Sequence, residues 1–183
     1  MTQPDVYDVA CLAGGPARVV DTALVALLAS GRVRAVAPGE LQVVDPRRRH
    51  PVEGAVLDAV GGRGRRSVVT VRWRALADDR VTDVARQLRS RRLLGLFGRR
   101  TAAARQALER ARAADVGPVL HVALDGREGL TDPELRAGVL EPPPRPVLAG
   151  SGVSPWVLSW GDGCDAARRT RDSLVARGSD GRP

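Results

Sequence analysis

Lysine, isoleucine and asparagine are absent from the 183 residues, and aromatic side chains make up only 3% of them. With so few rings, the core must be built from aliphatic residues. The absent types, set against abundant Ala, Gly, Pro, Arg and Val, share codon base content, which points to a GC-rich bacterial gene. Cysteine occurs twice, as Cys11 and Cys164, far apart and without a His at ligand spacing. That excludes a disulfide framework and a zinc site. Cys11 is expected in the core and Cys164 at the surface. The longest unbroken apolar run, Ala23 to Ala29, is far short of the ~20 residues that span a bilayer. No integral membrane segment and no leader are expected, so a cytoplasmic location is the default.

What is present is ordinary for a globular chain: 43% apolar and 27% charged residues. These proportions exclude a mainly disordered chain and a membrane bundle. The net charge is +8, every one of the 29 basic residues is Arg, and they cluster. Residues 47 to 112 carry eighteen Arg against six acids, whereas residues 1 to 46 carry three against five. Codon bias raises Arg content but does not gather it in one segment. A surface that meets an anion is therefore expected in the middle of the chain.

Helical spacing of Val6, Val9, Ala10 and Ala13 behind Asp5 predicts a short helix ended by Gly14-Gly15. Pro16 opens a second, whose stripe Val20, Ala23, Leu24, Leu27 and Leu28 stops at Gly31. Two short strands follow, Arg32 to Val36 and Leu41 to Val44, joined by a type II turn at Pro38-Gly39. Helix, turn, helix and hairpin make the first winged-helix-like unit, residues 4 to 46. A second unit is read over 50 to 114. It has a helix from Val52 to Val60, then a segment from Val68 to Leu76 capped by Ser67 that is helix or strand, then a helix begun by Asp78 or Asp79. A last helix runs from Thr101 to Ala114, and no clear second wing is seen. Val119 to Leu124 is a strand or the start of a helix, and Asp132-Pro133 opens a short helix, which completes a helical extension over 115 to 141. Pro142-Pro143-Pro144 cannot continue a helix, so residues 142 to 183 are read as a Pro-rich linker and a mostly flexible tail, with a helix possible from Asp165 to Arg177. The fold class expected is mainly α with short β-hairpins, in tandem winged-helix-like units.

The words Tyr7-Asp-Val9-Ala10-Cys-Leu12-Ala13-Gly14-Gly15-Pro16, His50-Pro51-Val52-Glu53, Val56-Leu57-Asp58, Arg72-Trp73-Arg74 and Asp132-Pro133-Glu134-Leu135-Arg136 resemble an uncharacterised family of actinobacterial proteins. The resemblance covers about residues 4 to 141. Many members of that family are membrane-associated or end in Gly- or Cys-rich tails, and this chain departs from both patterns. The resemblance implies no established activity and no catalytic residues.

Enzyme motifs are missing. The run Gly61-Gly62-Arg63-Gly64-Arg65-Arg66 lacks the Gly-Lys-Ser/Thr ending of a phosphate loop, and Gly150-Ser-Gly-Val-Ser154 lacks the spacing of a nucleophile elbow. His50 and His121 have no identifiable nucleophile to serve, and Asp78-Asp79 reads as a cap. No catalytic residue, metal or cofactor is expected. Anion contacts are: Arg47, Arg48, Arg49, Arg63, Arg65 and Arg66 from loops, and Arg86, Gln87 and Arg89 with Ser90 from the helix near 79 to 92. If that helix entered a major groove, its polar residues would meet base edges and the loop arginines phosphates. Trp73, between Arg72 and Arg74, is expected in the core, with stacking on a base as the alternative. The stretch Pro155 to Trp160 either covers a groove or docks on another protein. The function read from these residues is a non-catalytic interaction module for a protein or anionic partner, with a DNA-binding regulator as the alternative.

Overall fold

A computed structural model describes residues 3–62, 64–95, 98–114 and 117–140, all of which fall within the compact unit Met1–Pro144. The linker, the tail with Trp156, Trp160 and Cys164, the tail helix, and Arg63 lie outside the described residues.

The described residues are mainly helical with one small sheet. Helix α1 (Val6–Ala29) is two helices in one, kinked where Gly15 leaves helical geometry at φ 74°, just before Pro16. The break expected at Gly14-Gly15 is thus a bend inside one long element. Pro16 cannot donate to the preceding turn, and Gly15 takes a conformation that a side chain resists. Asp5 and Asp8 form a capping box at its start. Ser30 ends the helix, and the chain reverses into β1 (Val33–Ala37) and β2 (Glu40–Val43). These pair antiparallel around Pro38-Gly39 with a bulge between Ala35 and Ala37. Gly39 at φ 68° supplies the third position of the expected type II turn.

Helix α2 (Pro51–Val60) is followed by a strand that sequence reading missed, β3 (Arg66–Ser67), which pairs antiparallel with β2. A two-residue strand carries no periodicity to read. It matters because the β2–β3 pairing crosses the boundary expected between the two units, so residues 4 to 46 and 50 to 114 share one three-stranded sheet. The ambiguous segment is helical: α3 (Val68–Leu76), capped by Ser67, buries Val68, Val71 and Ala75 at helical spacing despite its β-branched start. Helix α4 (Asp79–Ser90) takes Asp78 as its cap and buries Val81, Val84 and Leu88. Helix α5 (Ala102–Ala113), α6 (Gly117–Asp125), a 3-10 turn (Arg127–Gly129) and α7 (Pro133–Leu140) complete the order. Val119 to Leu124 therefore belongs to a helix.

The second arm of α1 is buried on nearly every side, with Val19, Val20, Ala23, Leu24, Val25 and Leu27 at 0–1% exposure. An all-round apolar helix is a central helix, and α2, α3, α4 and α6 all pack against it. Each such aliphatic side chain contributes about 1.5–3 kcal/mol of burial free energy. Among the described residues α1 is also the one helix long and apolar enough to cross a membrane by length and composition, a character it shares with core helices of soluble folds. Asp8, Gly14-Gly15-Pro16, Arg18, Asp21 and Thr22 interrupt its apolar residues, so the sequence holds no unbroken apolar run of that length.

Trp73 is not in the core. It is 72% exposed, because a helix over 68–76 turns position 73 away from the face that holds Val68, Val71 and Ala75.

Candidate anion-binding surface

The loop 47–50 is anchored from below. Arg32 donates from Nη1 to Glu53 Oε2 at 2.7 Å and from Nη2 to Oε1 at 2.8 Å, and Tyr7 Oη donates to the same Oε1 at 2.9 Å. All three side chains are buried. Glu53 Oε2 also accepts the Arg49 backbone N–H at 3.3 Å, and Arg32 Nη1 donates to the Arg47 carbonyl at 3.2 Å. Burial opposes the charged form of Glu53, but hydrogen bonds from Arg32 and Tyr7 outweigh it and hold the carboxyl below its ordinary value. Burial, reinforced by the Glu53 carboxylate, pushes the Tyr7 phenol well above its ordinary range. Tyr7 is therefore a fixed donor and Glu53 a fixed carboxylate.

This network fixes the backbone of Arg47 to Arg49 while their side chains stay exposed. His50 closes the loop: its Nδ1 accepts the Val52 N–H at 3.2 Å as the cap of α2, and its ring stacks on Tyr7 with centroids 4.4 Å apart. Its Nε2 lies 3.4 Å from Asp5 Oδ2. His50 thus serves the fold, capping α2 and packing on Tyr7.

Helix α4 stands opposite this loop across a cleft of about 100 Å³ lined by residues that include Tyr7, Asp8, His50, Arg80, Val84 and Gln87. One carboxylate bridges the two sides. Asp58 of α2 accepts from Arg48 Nη2 through Oδ1 and from Arg80 Nη2 through Oδ2, the latter at 2.8 Å. Arg80 also grips Asp78, with Nη2 at 2.8 Å from Oδ2. Hydrogen bonds to Asp78 and Asp58 raise the Arg80 pKa further above its ordinary value. Arg80 is thus a half-buried clamp.

Arg86, Gln87, Arg89 and Ser90 are exposed on α4, as the helical spacing predicts. Arg86 pairs with Asp83 one turn earlier at 2.7 Å, while Arg49 and Arg89 face no acid in an ion pair among the described residues. The Arg47 side chain is 82% exposed, with its Nε 3.8 Å from Asp45 Oδ1, while its backbone N–H donates to the same oxygen at 3.0 Å. The structure thus ties Arg48 to Arg80 at the start of α4 through Asp58, whereas no hydrogen bond or ion pair among the described residues joins Arg47 or Arg49 to Arg86, Gln87 or Arg89. Arg65 and Arg66 are held elsewhere. Arg66 Nε donates to the Val60 carbonyl at 2.9 Å, closing the end of α2, and Arg65 reaches towards Glu40 at 3.8 Å.

Several arginines of the basic segment are spent on the fold. Arg72 Nε donates to Asp21 at 2.8 Å, Arg91 Nη1 to Asp8 at 2.6 Å, and Arg100 Nη2 to the Ala13 carbonyl beside the α1 kink at 2.7 Å. Sequence reading counted them as surface charge. The Arg32–Glu53–Tyr7 network was also missed. Its one signal was an acid placed among Val52, Ala55 and Val56 on an apolar helix face, where an unpaired carboxylate is not tolerated.

A larger, mostly apolar cleft of about 410 Å³ opens between the first turns of α1 and α6 and the second half of α5, with Val6, Val9, Ala107, Ala111 and Leu120 in its walls and Arg110 among the lining residues. It holds no nucleophile beside a base. Among the described residues no group of three or more His, Cys, Asp or Glu is placed to hold a metal ion. Comparison with family models, curated proteins and solved structures finds no match to this chain.

Proposed function

We propose that the protein is a non-catalytic interaction module whose partner presents anionic groups to the surface formed by loop 47–50 and α4. In this reading residues 4 to 46 and 50 to 114 are two winged-helix-like units joined through the shared sheet, and the protein works in the cytoplasm without a cofactor. The observation that carries it is the pinned loop: buried Arg32 and Glu53 hold the Arg47 to Arg49 backbone rigid, so its cations are presented at little entropic cost on binding.

DNA is the second reading, favoured by one feature, the run of exposed Arg86, Gln87, Arg89 and Ser90 on α4. It ranks second because recognition helices commonly contact bases with their N-terminal residues. The first turns of α4 carry Asp79 and Asp83, and its one early cation, Arg80, is already committed to Asp58 and Asp78.

Fluorescence anisotropy separates the two. The full chain is titrated against a labelled mixed-sequence duplex and against a labelled poly-Glu peptide at about 50 and 200 mM salt. Binding of both that falls steeply with salt and weakens in Arg49→Ala and Arg89→Ala supports the module. Duplex binding with a sequence preference that is lost in Arg86→Ala supports the regulator. No binding of either at the lower salt rejects the surface altogether.

A further inference from the structure

Two adjoining clefts run along one face of α5. The apolar one, of about 410 Å³, has Val6, Val9, Ala107, Ala111 and Leu120 in its walls, and the other, of about 700 Å³, takes Arg91 and Gln106 into its lining. Gln3, Pro4, Ala107 and Arg110 line both, so Arg110 stands where they join. Around the helix Arg110 lies about 60° from Ala107 and about 40° from Gln106 and Ala114, on the face the two clefts share. An apolar cleft of this size beside a few convergent polar groups is of the kind that holds a small molecule.

The uncommitted charge at the junction has one sign. Arg110 Nε donates to the Gln106 carbonyl of its own helix at 3.3 Å, and its guanidinium makes no ion pair among the described residues. Arg91, in the second cleft, is held by Asp8, with Nη1 at 2.6 Å from Oδ2. Asp5 is the one acid among the described lining residues of either cleft. Its carboxylate is already used: Oδ1 accepts the Tyr7 and Asp8 N–H groups at 2.9 and 2.7 Å, and Oδ2 faces His50 Nε2 at 3.4 Å.

We propose that the clefts form a binding site for a small amphiphilic carboxylate, with its apolar body between Val9, Ala111 and Leu120 and its carboxylate on Arg110. A guanidinium grips a carboxylate through a fork of N–H donors, and Arg110 spends only Nε within its own helix, which leaves both Nη groups for the ligand. Removal of the apolar body from water supplies the rest of the affinity. The walls come from three separate helices, α1, α5 and α6, which suits a compact body better than a partner helix laid along one row. An organic cation would meet Arg110 with no uncommitted acid to answer it, and a neutral apolar molecule would leave the guanidinium unused. The site shares no residue with the Arg47 to Arg49 loop or with Arg86, Gln87 and Arg89, so it can hold or fail independently of that surface.

The test is a two-dimensional amide NMR titration of the full ¹⁵N-labelled chain at pH 7 with decanoate, kept below its micelle concentration, and in parallel with decyltrimethylammonium. The expected result is saturable shifts at the amides of Val9, Ala107 and Ala111, with decanoate binding about tenfold or more tightly than the cation, as for hydrogen bonds to a charged group. Arg110→Gln should weaken decanoate about tenfold and leave the cation no weaker. Ala111→Leu, which narrows the cleft, should weaken decanoate, and Leu120→Ser serves as a second variant of the wall. Arg86→Ala with Arg89→Ala should leave the affinity within about twofold. Far-UV circular dichroism verifies that each variant folds. The proposal is overturned by the absence of saturable shifts, by shifts confined to loop 47–50 and α4, or by equal affinity for decanoate and the cation. It is also overturned by decanoate binding that Arg110→Gln does not change, or that survives both Ala111→Leu and Leu120→Ser.

Discussion

Arg32 holds Glu53 through two near-parallel hydrogen bonds of 2.7 and 2.8 Å, with the two side chains only 5% and 8% exposed. A pair so buried stabilises little relative to an apolar pair of the same shape, but removing one member strands the other charge. Glu53→Ala is therefore expected to cost about 3–5 kcal/mol, and Tyr7→Phe only about 1 kcal/mol. Urea unfolding of the two variants measures both. A Glu53→Ala loss below that of Tyr7→Phe would show that the pair does not anchor the loop.

The same pair makes stability depend on pH in a stated direction. The folded Glu53 carboxyl lies below its ordinary value, so the unfolded chain takes up its proton first as pH falls. Its contribution is complete above the ordinary Glu value of about 4.3 and is lost as pH drops through the lower folded value. Asp78, held low by its hydrogen bond from Arg80, acts in the same sense from about 3.9 downward. Urea midpoints measured from pH 7 to pH 3 should decline in that window, with a shallower decline in Glu53→Gln.

Gly15 sits at φ 74° and ψ −165° inside α1, a region nearly closed to residues with a Cβ. Gly15→Ala should destabilise by about 1–3 kcal/mol although nothing lies within 4 Å of the added carbon. An unchanged unfolding midpoint would mean that the kink is not required by the fold.

Leu88 and Trp73 invert the usual expectation about large and small apolar residues. Leu88→Ala, at 0% exposure, should cost about 2–5 kcal/mol. Trp73→Ala, at 72% exposure, should stay within about 0.5 kcal/mol of the parent. Thermal melts of both test the orientation of α3 and α4 directly, and a large loss at Trp73 would show that the side chain is covered.

Burial, with the Asp8 carboxylate adding to it, pushes the Cys11 thiol up to about 11. In a Cys164→Ser background at pH 8, its reaction with a disulfide reagent should be far slower than that of a free thiol, since the thiolate is the nucleophile. The rate should rise on adding urea. A fast native reaction would contradict the buried placement.

Much of the local structure was written in the sequence. Caps at Asp5, Ser67 and Asp78, the Pro38-Gly39 turn, and the apolar rows of α1, α2 and α4 are local codes, set by backbone dihedrals and hydrogen bonds within a few residues. The exposed row Arg86, Gln87 and Arg89 followed from the same periodicity. What depended on residues far apart was not legible. Strand β3 exists because Arg66 and Ser67 pair with Leu41 and Glu40. Glu53 is tolerated in the core because Arg32 and Tyr7 converge on it from 21 and 46 positions away. Arg72, Arg91 and Arg100 read as surface charge until the fold set them against Asp21, Asp8 and the Ala13 carbonyl. Periodicity shows that a face is apolar and says nothing of what covers it. For that reason Trp73 looked like a core residue, and only packing, which gave Val68, Val71 and Ala75 to the core, left it on the outside.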